Sequence, residues 1–443
     1  MRGPAQMSSE ADGAAPGLYE RGYVMLLLVV GVLGIPLSLA AFGFLVAVHE
    51  LEHVVWESLP SALGYAEPPS WWPILTIGVA GALVGLTIRY LPGHGGHVPA
   101  AGFGGDAAQP SMLPGAILAA AASLVGGAVI GPEAPLIAIG GGLALLAVRR
   151  TRMAGDPGAA TIVSAAGAAA AMSAIFGNPL VAVVIFLEIL DLGRRRAMLV
   201  VLPCLVSSAI GALLFTGMGR WTGLEIGELA IPDLAPARLS VAEIVWAPLL
   251  AAVVAALTWA PFVVGRRVAR IAASRPVTST VTAGLVAGGA ACAYAWSTGH
   301  SPAEVALSGQ ATLSVLAADP SAWSTGALVA LIGFKAVAYG VSLGAFRGGP
   351  VFPAILLGAA CGVLASNLAP GMSLLSGIAI GTAAGAAVTG LPVTSAVLIV
   401  LLLGDAAPSQ IPVVILAVAT AMVVGERLSS WYPPRGPIRD GMT

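Results

Sequence analysis

The chain has 443 residues, of which 41 are charged (20 Lys+Arg and 21 Asp+Glu), and hydrophobic residues make up 58% of it. Soluble domains carry roughly 25% charged residues, so a charged share of 9% is too low to cover a water-exposed surface. This composition excludes an ordinary cytosolic enzyme, a secreted disulfide scaffold and a disordered protein. The net charge of −1 gives no indication of a nucleic-acid partner, and no cofactor is expected. We predict an all-α, polytopic helical membrane protein.

Windows without Asp, Glu, Lys or Arg mark the predicted spans. They cover 24–48, 107–132, 157–187, 197–219, 348–404 and 406–425. The first window suffices for a helix to cross the hydrocarbon core, which takes about 20 apolar residues. Gly and Pro divide several other windows into pieces too short to cross alone. Broken and half-spanning helices are therefore expected, and a membrane tolerates them where they are buried in protein or line a polar cavity.

The two halves of the chain resemble each other at an offset of 218 residues (349 − 131). The run GPEAP at 131–135 corresponds to GPVFP at 349–353, and the first span corresponds to 242–266. Arginines precede the first span and acidic residues follow it, whereas its counterpart has the opposite flanks. Because basic residues favour the cytoplasmic side, we predict inverted-topology repeats with a cytoplasmic N-terminus and a substrate site between them near the midplane.

This repeat predicts the organisation of the whole chain. We expect a disordered cytoplasmic tail at 1–21, a first membrane repeat at 22–217, a connecting loop at 218–241, a second membrane repeat at 242–428 and a short C-terminal tail at 429–443.

Each GPxxP run predicts a loop that leads into a helix N-terminus. Proline suits the first helical position because its missing N–H would have no partner there, and glycine lets the backbone approach a ligand closely. The free N–H groups and the helix dipole favour an anion without a full positive charge. The candidate anion-binding residues in these runs are Gly131, Ala134, Gly349, Val351 and Phe352.

Glu133 is the ionisable residue of these runs, and Val351 replaces it in the second half. An ionisable residue in a membrane segment is a functional hypothesis by default. An ionised carboxylate at a helix N-terminus would occupy the place of the anion, and a protonated or displaced one would vacate it. We therefore interpret Glu133 as a gate, with a simple helix-capping carboxylate as the alternative.

These motifs resemble those of the CLC family of chloride channels and anion/proton antiporters. The run at 131–135 is similar to the family's GREGP element, whose glutamate is the external gate, and the run at 349–353 is similar to its GxFxP element. Gly95-Gly96-His97-Val98-Pro99 falls where the family has GSGIP, which adds Gly95, Gly96, His97 and Val98 to the candidate anion-binding residues. The resemblance, which extends from about 24 to 430, implies transport of chloride or a similar small anion by a homodimer in a lipid bilayer. High Ala, Gly and Arg with almost no Lys indicates a bacterial plasma membrane.

Several positions depart from the family pattern. Gly96 stands where the family has an anion-binding serine, and His97 beside it either supplies an N–H or is an ordinary loop histidine. The family's pore tyrosine falls near Tyr432, for which an interfacial anchor is the alternative. The inner glutamate that relays protons in the antiporters falls on Ile189. Either transport is not coupled to protons, or water or the neighbouring Glu188 replaces that relay; an interfacial ion pair is the alternative for Glu188.

A second motif points to another class of protein. His49-Glu50-Leu51-Glu52-His53 matches HExxH, in which two histidines on one helix face bind zinc and the glutamate acts as a base. An intramembrane zinc metalloprotease is therefore the alternative function. It lacks an obvious third ligand and leaves the repeat unexplained, so a polar helix end is the preferred interpretation.

Lys335 is the only lysine in the chain and lies within an apolar segment. We expect it to give structural or electrostatic support to the anion path rather than to coordinate the ion.

Overall fold

The structure is a computed structural model that describes residues 21–102, 109–151, 155–173, 175–176, 178–190, 194–224, 231, 234 and 237–431. The predicted N-terminal tail, apart from its last residue, and Tyr432 lie outside the described residues. The described part of the chain contains no named β-strand, and its elements are helices joined by turns.

In the described part of the chain, the α-helices form two sets of eight. The first set is α1 (Arg21–His53), α2 (Leu59–Ala62), α3 (Trp72–Tyr90), α4 (Leu113–Val125), α5 (Glu133–Val148), α6 (Pro157–Met172), α7 (Pro179–Ile189) and α8 (Arg194–Thr222). The second set is α9 (Val241–Ser274), α10 (Pro276–Thr298), α11 (Gln310–Ala318), α12 (Thr325–Ala345), α13 (Val351–Leu368), α14 (Leu374–Ala387), α15 (Pro392–Leu402) and α16 (Ala407–Trp431).

The described helices differ in length. Eight helical segments of the described chain are long and apolar enough to cross a membrane: Gly22–Ala62, Trp72–Tyr90, Ala197–Thr222, Val241–Ser274, Pro276–Thr298, Thr325–Ala345, Val351–Leu368 and Gly404–Trp431. The apolar helices α4, α5, α6, α7, α14 and α15 are shorter. The prediction of a helical membrane protein with half-spanning helices is confirmed.

The two halves repeat the same packing. α1 packs on α8 and α9 on α16, while α5 packs on α6 and α13 on α14. α5 begins at Glu133 and α13 begins at Val351, which is the offset of the sequence repeat. The predicted boundaries of the repeats stay a prediction; α8 continues to Thr222 and α16 to Trp431, beyond the predicted ends at 217 and 428.

The loops before α5 and α13 meet in an isolated antiparallel bridge. Gly131 donates its N–H to the carbonyl oxygen of Gly349 at 2.8 Å, and Gly349 donates its N–H to that of Gly131 at 2.5 Å. Because equivalent residues of the two repeats exchange these hydrogen bonds, the local two-fold axis that relates the halves passes between these two residues. The bridge therefore brings the starts of α5 and α13 together.

Close backbone contact makes the charge-free run after 347 a tightly packed pair of helices. A Cβ atom at Gly362 of α13 would lie 2.5 Å from the carbonyl carbon of Gly377 in α14, and one at Gly358 would lie 2.6 Å from that of Gly381. Small residues allow this approach, which supports membrane helix association through van der Waals contact.

Candidate functional site

The carboxylate of Glu133 lies on the N-terminus of the opposite repeat's helix. Its side chain is fully buried. Oε1 accepts the N–H groups of Val351 and Phe352, each at 3.1 Å, and these are the first two residues of α13. Donors of this kind favour a negative charge. The first half thus supplies the carboxylate, and the second half supplies the N–H groups that it accepts.

Two glycines leave room for this carboxylate. An ideal Cβ at Gly131 would lie 2.7 Å from Cδ and 2.8 Å from Oε1 of Glu133, and one at Gly349 would meet the same carboxyl group. Real Cβ atoms essentially never come within 3.0 Å of a heavy atom to which they are not covalently linked through neighbouring residues. The buried Oε2 of Glu133 has no hydrogen-bond partner in the described part of the chain. The side chain is therefore held through one oxygen.

α12 fixes the loops that form the site, and sequence reasoning missed its contribution. Tyr339 donates its phenolic O–H to the carbonyl oxygen of Pro350 at 2.6 Å, and this tyrosine is fully buried. Ser342 accepts the N–H of Val129 at 3.2 Å. A hydroxyl-bearing face of α12 thus contacts the loop before each of the two helices. The available signal was the recurrence of polar hydroxyls inside an apolar span.

The segment 95–99 packs against α4. Gly96 has φ 89° and ψ −161°, and its Cβ would lie 2.9 Å from Cβ of Ala116. Val98 is buried, and the ring of His97 is hydrogen-bonded to the carbonyl oxygen of Gly102 in the same loop. A serine at 96 would need a strained backbone and a displaced α4, which gives a physical reason for glycine there. No hydrogen bond of Glu133 reaches this segment.

Arg347 ties this segment to the second repeat. Its side chain is buried and donates to the carbonyl oxygens of His94, at 3.3 Å, and Phe346, at 3.2 Å. Its main-chain N–H is held at 3.1 Å by the hydroxyl of Ser123 in α4. The sequence predicts neutral GPxxP elements, yet a guanidinium lies two residues before Gly349. Its position at the edge of the charge-free run was the signal for it.

Glu188 caps the start of α15. Its Oε1 accepts the N–H of Val393 at 2.7 Å, and its Oε2 accepts the N–H of Thr394 at 2.8 Å. The predicted alternative for Glu188 was an ion pair with the arginines at 194–196, whose side chains lie outside the described residues. The contacts observed are those of a helix cap, which satisfies backbone donors that a membrane cannot. Ile189 ends α7 beside it.

A cavity of about 460 Å³ opens beside the Glu133 loop. It is lined by Pro132, by His49 and Glu52 at the end of α1, and by the segment 303–312. Within the HExxH run, His49 lines the cavity together with Glu52, whereas His53 pairs with Glu57 at 3.2 Å. The described residues contain no group of three or more His, Cys, Asp or Glu side chains able to hold a metal. This geometry gives no support to the metalloprotease alternative.

Lys335 braces the wall of that cavity. Its fully buried ammonium donates to the carbonyl oxygens of Glu304, Ala306 and Leu307, at 3.0, 3.1 and 3.3 Å. Leu307 in turn donates its N–H to the carbonyl oxygen of Gly127 at 2.9 Å. The lysine therefore holds the 304–307 segment against the loop that precedes Glu133, and its observed contacts are structural.

Comparison with known proteins agrees with this architecture. The model of the family described as "Voltage gated chloride channel" matches residues 80–426. Curated relatives named "Putative ion-transport protein YfeO", from Escherichia fergusonii and from Escherichia coli O6:H1, are 34% identical over 177 residues, which is 39% of this chain. The match spans 42% of the length of these relatives.

Three solved structures share the fold. A CLC-type fluoride/proton antiporter has a TM-score of 0.66 at 14% identity and covers 91% of this chain and 96% of its own. A slow cyanobacterial Cl⁻/H⁺ antiporter has a TM-score of 0.71 at 19% identity and covers 93% and 96%. A eukaryotic CLC transporter has a TM-score of 0.68 at 18% identity and covers 94% and 73%. Identities this low show similarity of fold alone.

Proposed function

Because the chain belongs to the voltage gated chloride channel family, we propose that it transports a small anion, chloride in the first instance, along a path between its two halves. The observation that supports this proposal is the position of the Glu133 carboxylate on the first N–H groups of α13, a position called the seat below. Its Oε1 accepts the N–H groups of Val351 and Phe352, each at 3.1 Å, at the start of α13. A carboxylate oxygen and a halide compete for donors of this type.

Glu133 is the gate in this proposal. While its carboxylate lies on α13, the N–H groups are occupied and the anion is excluded from them. When the carboxylate is neutralised or swings aside, the same groups are free to bind the ion. Backbone donors hold the ion without a full positive charge, and conduction requires such weak binding. The remaining candidate ligands are Gly95, Gly96, His97, Val98, Gly131, Ala134, Gly349 and Tyr432.

The test is chloride flux through liposomes that contain the Glu133→Gln variant. Glutamine removes the negative charge but keeps the size of the side chain, so we expect flux and its pH dependence to change. The matched control is Glu52→Gln, which neutralises a cavity carboxylate that is not on the seat. If the flux, its pH dependence and its block by other anions all match the wild type in Glu133→Gln, the gate assignment is wrong.

We propose further that transport is not coupled to protons. Ile189 cannot carry a proton, and both oxygens of Glu188 are engaged by N–H groups of α15. A chloride gradient across liposomes should therefore drive no proton movement. Stoichiometric proton movement that is lost in Glu188→Gln would make Glu188 the relay, and movement that persists in that variant would indicate water.

The proposal places the protein as a homodimer in a bacterial plasma membrane, with its N-terminus in the cytoplasm. Apolar side chains on the outside of the bundle support a lipid or protein environment there; Leu213 on α8 and Val423 on α16 are 74% and 67% exposed. Mass measurement of the detergent-solubilised protein tests the dimer, and a single-protomer mass would contradict it.

A further inference from the structure

A second region of the protein carries a concentration of positive charge next to a groove. α9 ends at Ser274 and α10 begins at Pro276, so Arg275 alone connects the two helices. A groove of about 440 Å³ opens beside this turn. It is lined by Arg275 and by the hydroxyl-bearing residues Thr278, Ser279 and Thr282, with Val268, Ile271, Val286 and Val341 as apolar walls. One end of the groove is therefore polar and basic, and the rest is apolar.

Among the described residues, the basic end has no acidic ion-pair partner. The last turns of α9 and the turn after it carry Arg266, Arg267, Arg270 and Arg275. None of these four forms an ion pair with an acidic side chain in the described part of the chain. Arg267, Arg270 and Arg275 are exposed and Arg266 is half-buried. Guanidinium groups that lack acidic partners favour a phosphate, which accepts paired hydrogen bonds from arginine.

The apolar walls extend away from this charge into the membrane-spanning part of the helices. Ile271 is 58% exposed and Val286 is 43% exposed, and both lie in helices long enough to span. A free inorganic anion would occupy only the basic end of the groove and would leave these apolar walls uncovered. A hydrocarbon chain fits them, and basic pockets between membrane helices on the cytoplasmic side are typical sites for anionic lipid headgroups.

We propose that this groove binds an anionic phospholipid, with the phosphate on Arg275 at the α9–α10 turn and an acyl chain between α9, α10 and α12. The site belongs to the second repeat alone. The corresponding connection in the first repeat, between α1 and α3, carries the acidic residues Glu57 and Glu67. The positive-inside prediction places the basic turn at the cytoplasmic leaflet, where anionic lipid is available.

A lipid bound in the groove would influence the anion path through α12. Val341 lines the groove and lies between Tyr339 and Ser342, which hold the loops before α13 and α5. A lipid chain packed on this turn of α12 would restrict its movement. The lipid site stands on its own geometry, so binding and flux are separate measurements.

The binding test is native mass spectrometry of the detergent-solubilised protein, titrated with phosphatidylglycerol or with phosphatidylcholine. We expect the wild type to prefer phosphatidylglycerol. Arg275→Gln should weaken its binding about fivefold, since a basic residue near an anionic lipid contributes on that scale. The matched control is Arg89→Gln, an exposed arginine near the end of α3 that does not line the groove. A second variant, Thr282→Trp, fills the groove with a bulky side chain and should reduce the binding of phosphatidylglycerol while leaving Arg275 intact.

Three outcomes would overturn the proposal. The first is equal binding of the two lipids by the wild type, which would mean that the arginines do not select charge. The second is an equal loss in the Arg275→Gln and Arg89→Gln variants, which would indicate unspecific surface attraction. The third is displacement of phosphatidylglycerol by an equal concentration of glycerol phosphate, which would assign the site to a free anion rather than to a lipid.

Discussion

A methyl group at Gly131 is the sharpest perturbation of the proposed gate, because it displaces the carboxylate without removing it. The three heavy atoms nearest to an added Cβ at Gly131 all belong to the Glu133 carboxyl group. Gly131 has no positive φ, so alanine suits the backbone there. Its N–H and carbonyl can keep the bridge to Gly349. Gly131→Ala should therefore push Glu133 off the N–H groups of α13.

The size of the effect follows from the two hydrogen bonds that are lost. A hydrogen bond to a charged group contributes about 1.5–3 kcal/mol net. Loss of the two hydrogen bonds from Val351 and Phe352 therefore costs the carboxylate at least about 3 kcal/mol. Each 1.4 kcal/mol is about a factor of ten. The ratio of seated to displaced Glu133 should fall roughly a hundredfold, and the apparent affinity for chloride should rise because the carboxylate competes less for the N–H groups.

Calorimetric titration with chloride and flux from liposomes measure this effect. Glu133→Ala removes the competing group, so Gly131→Ala should have little further effect in that background. Gly349→Ala, whose Cβ also meets the carboxyl group, should act in the same direction as Gly131→Ala. Wild-type chloride affinity and flux in Gly131→Ala would show that the added methyl group does not displace Glu133. An equally large change when Glu133 is already alanine would show that the effect does not act through Glu133.

Three further substitutions test the surroundings of the seat. Gly96 and Gly102 share nearly the same backbone angles, φ 89° and 85° with ψ −161°, but of the two only Gly96 is crowded. Gly96→Ser should therefore lower the free energy of unfolding by about 1–3 kcal/mol more than Gly102→Ser does. Equal unfolding midpoints of the two variants would contradict this. Tyr339→Phe leaves the Pro350 carbonyl without its phenolic donor, so we expect a loss of about 1–3 kcal/mol in stability with weaker chloride binding, and an unchanged Kd would contradict its positioning role. Lys335→Met removes the donor of three buried carbonyls and should cost at least about 3 kcal/mol, measured as a lower thermal unfolding midpoint; a wild-type midpoint would show that the brace is dispensable.

The architecture was largely predictable because a membrane limits the choices. Apolar length predicts which helices span, and Gly-Pro breaks predict the short ones such as α5 and α15. The offset of 218 residues appears in the structure as the separation between Glu133 and its hydrogen-bond donor Val351. Helix ends were less predictable; α8 and α16 run past the expected limits of their repeats because an exposed helix end can extend without a change in the core.

The site was predictable only in part. The two GPxxP runs and Glu133 indicate their chemistry locally, because a proline, a glycine and a carboxylate have the same conformational and charge preferences wherever they stand. Partners across the fold gave no local signal. Nothing near Glu188 in the sequence indicates that Val393 and Thr394 supply its N–H donors, and nothing near Lys335 indicates the carbonyls of 304–307.

From the amino-acid sequence alone one can predict a two-fold repeated helical membrane protein with one carboxylate in a neutral motif of the kind that suits an anion. Hydrophobicity and helix-start chemistry are properties of short segments, and the repeat appears when such segments are compared along the chain, so the order of residues is enough to reveal them. Which helix N-terminus receives that carboxylate depends on contacts between distant parts of the chain. The Gly131–Gly349 bridge places Glu133 on α13 rather than on its own helix, because the two halves meet at that point and α12 holds both loops there. In the proposed mechanism, the competition between Glu133 and the anion therefore arises at the contact between the repeats.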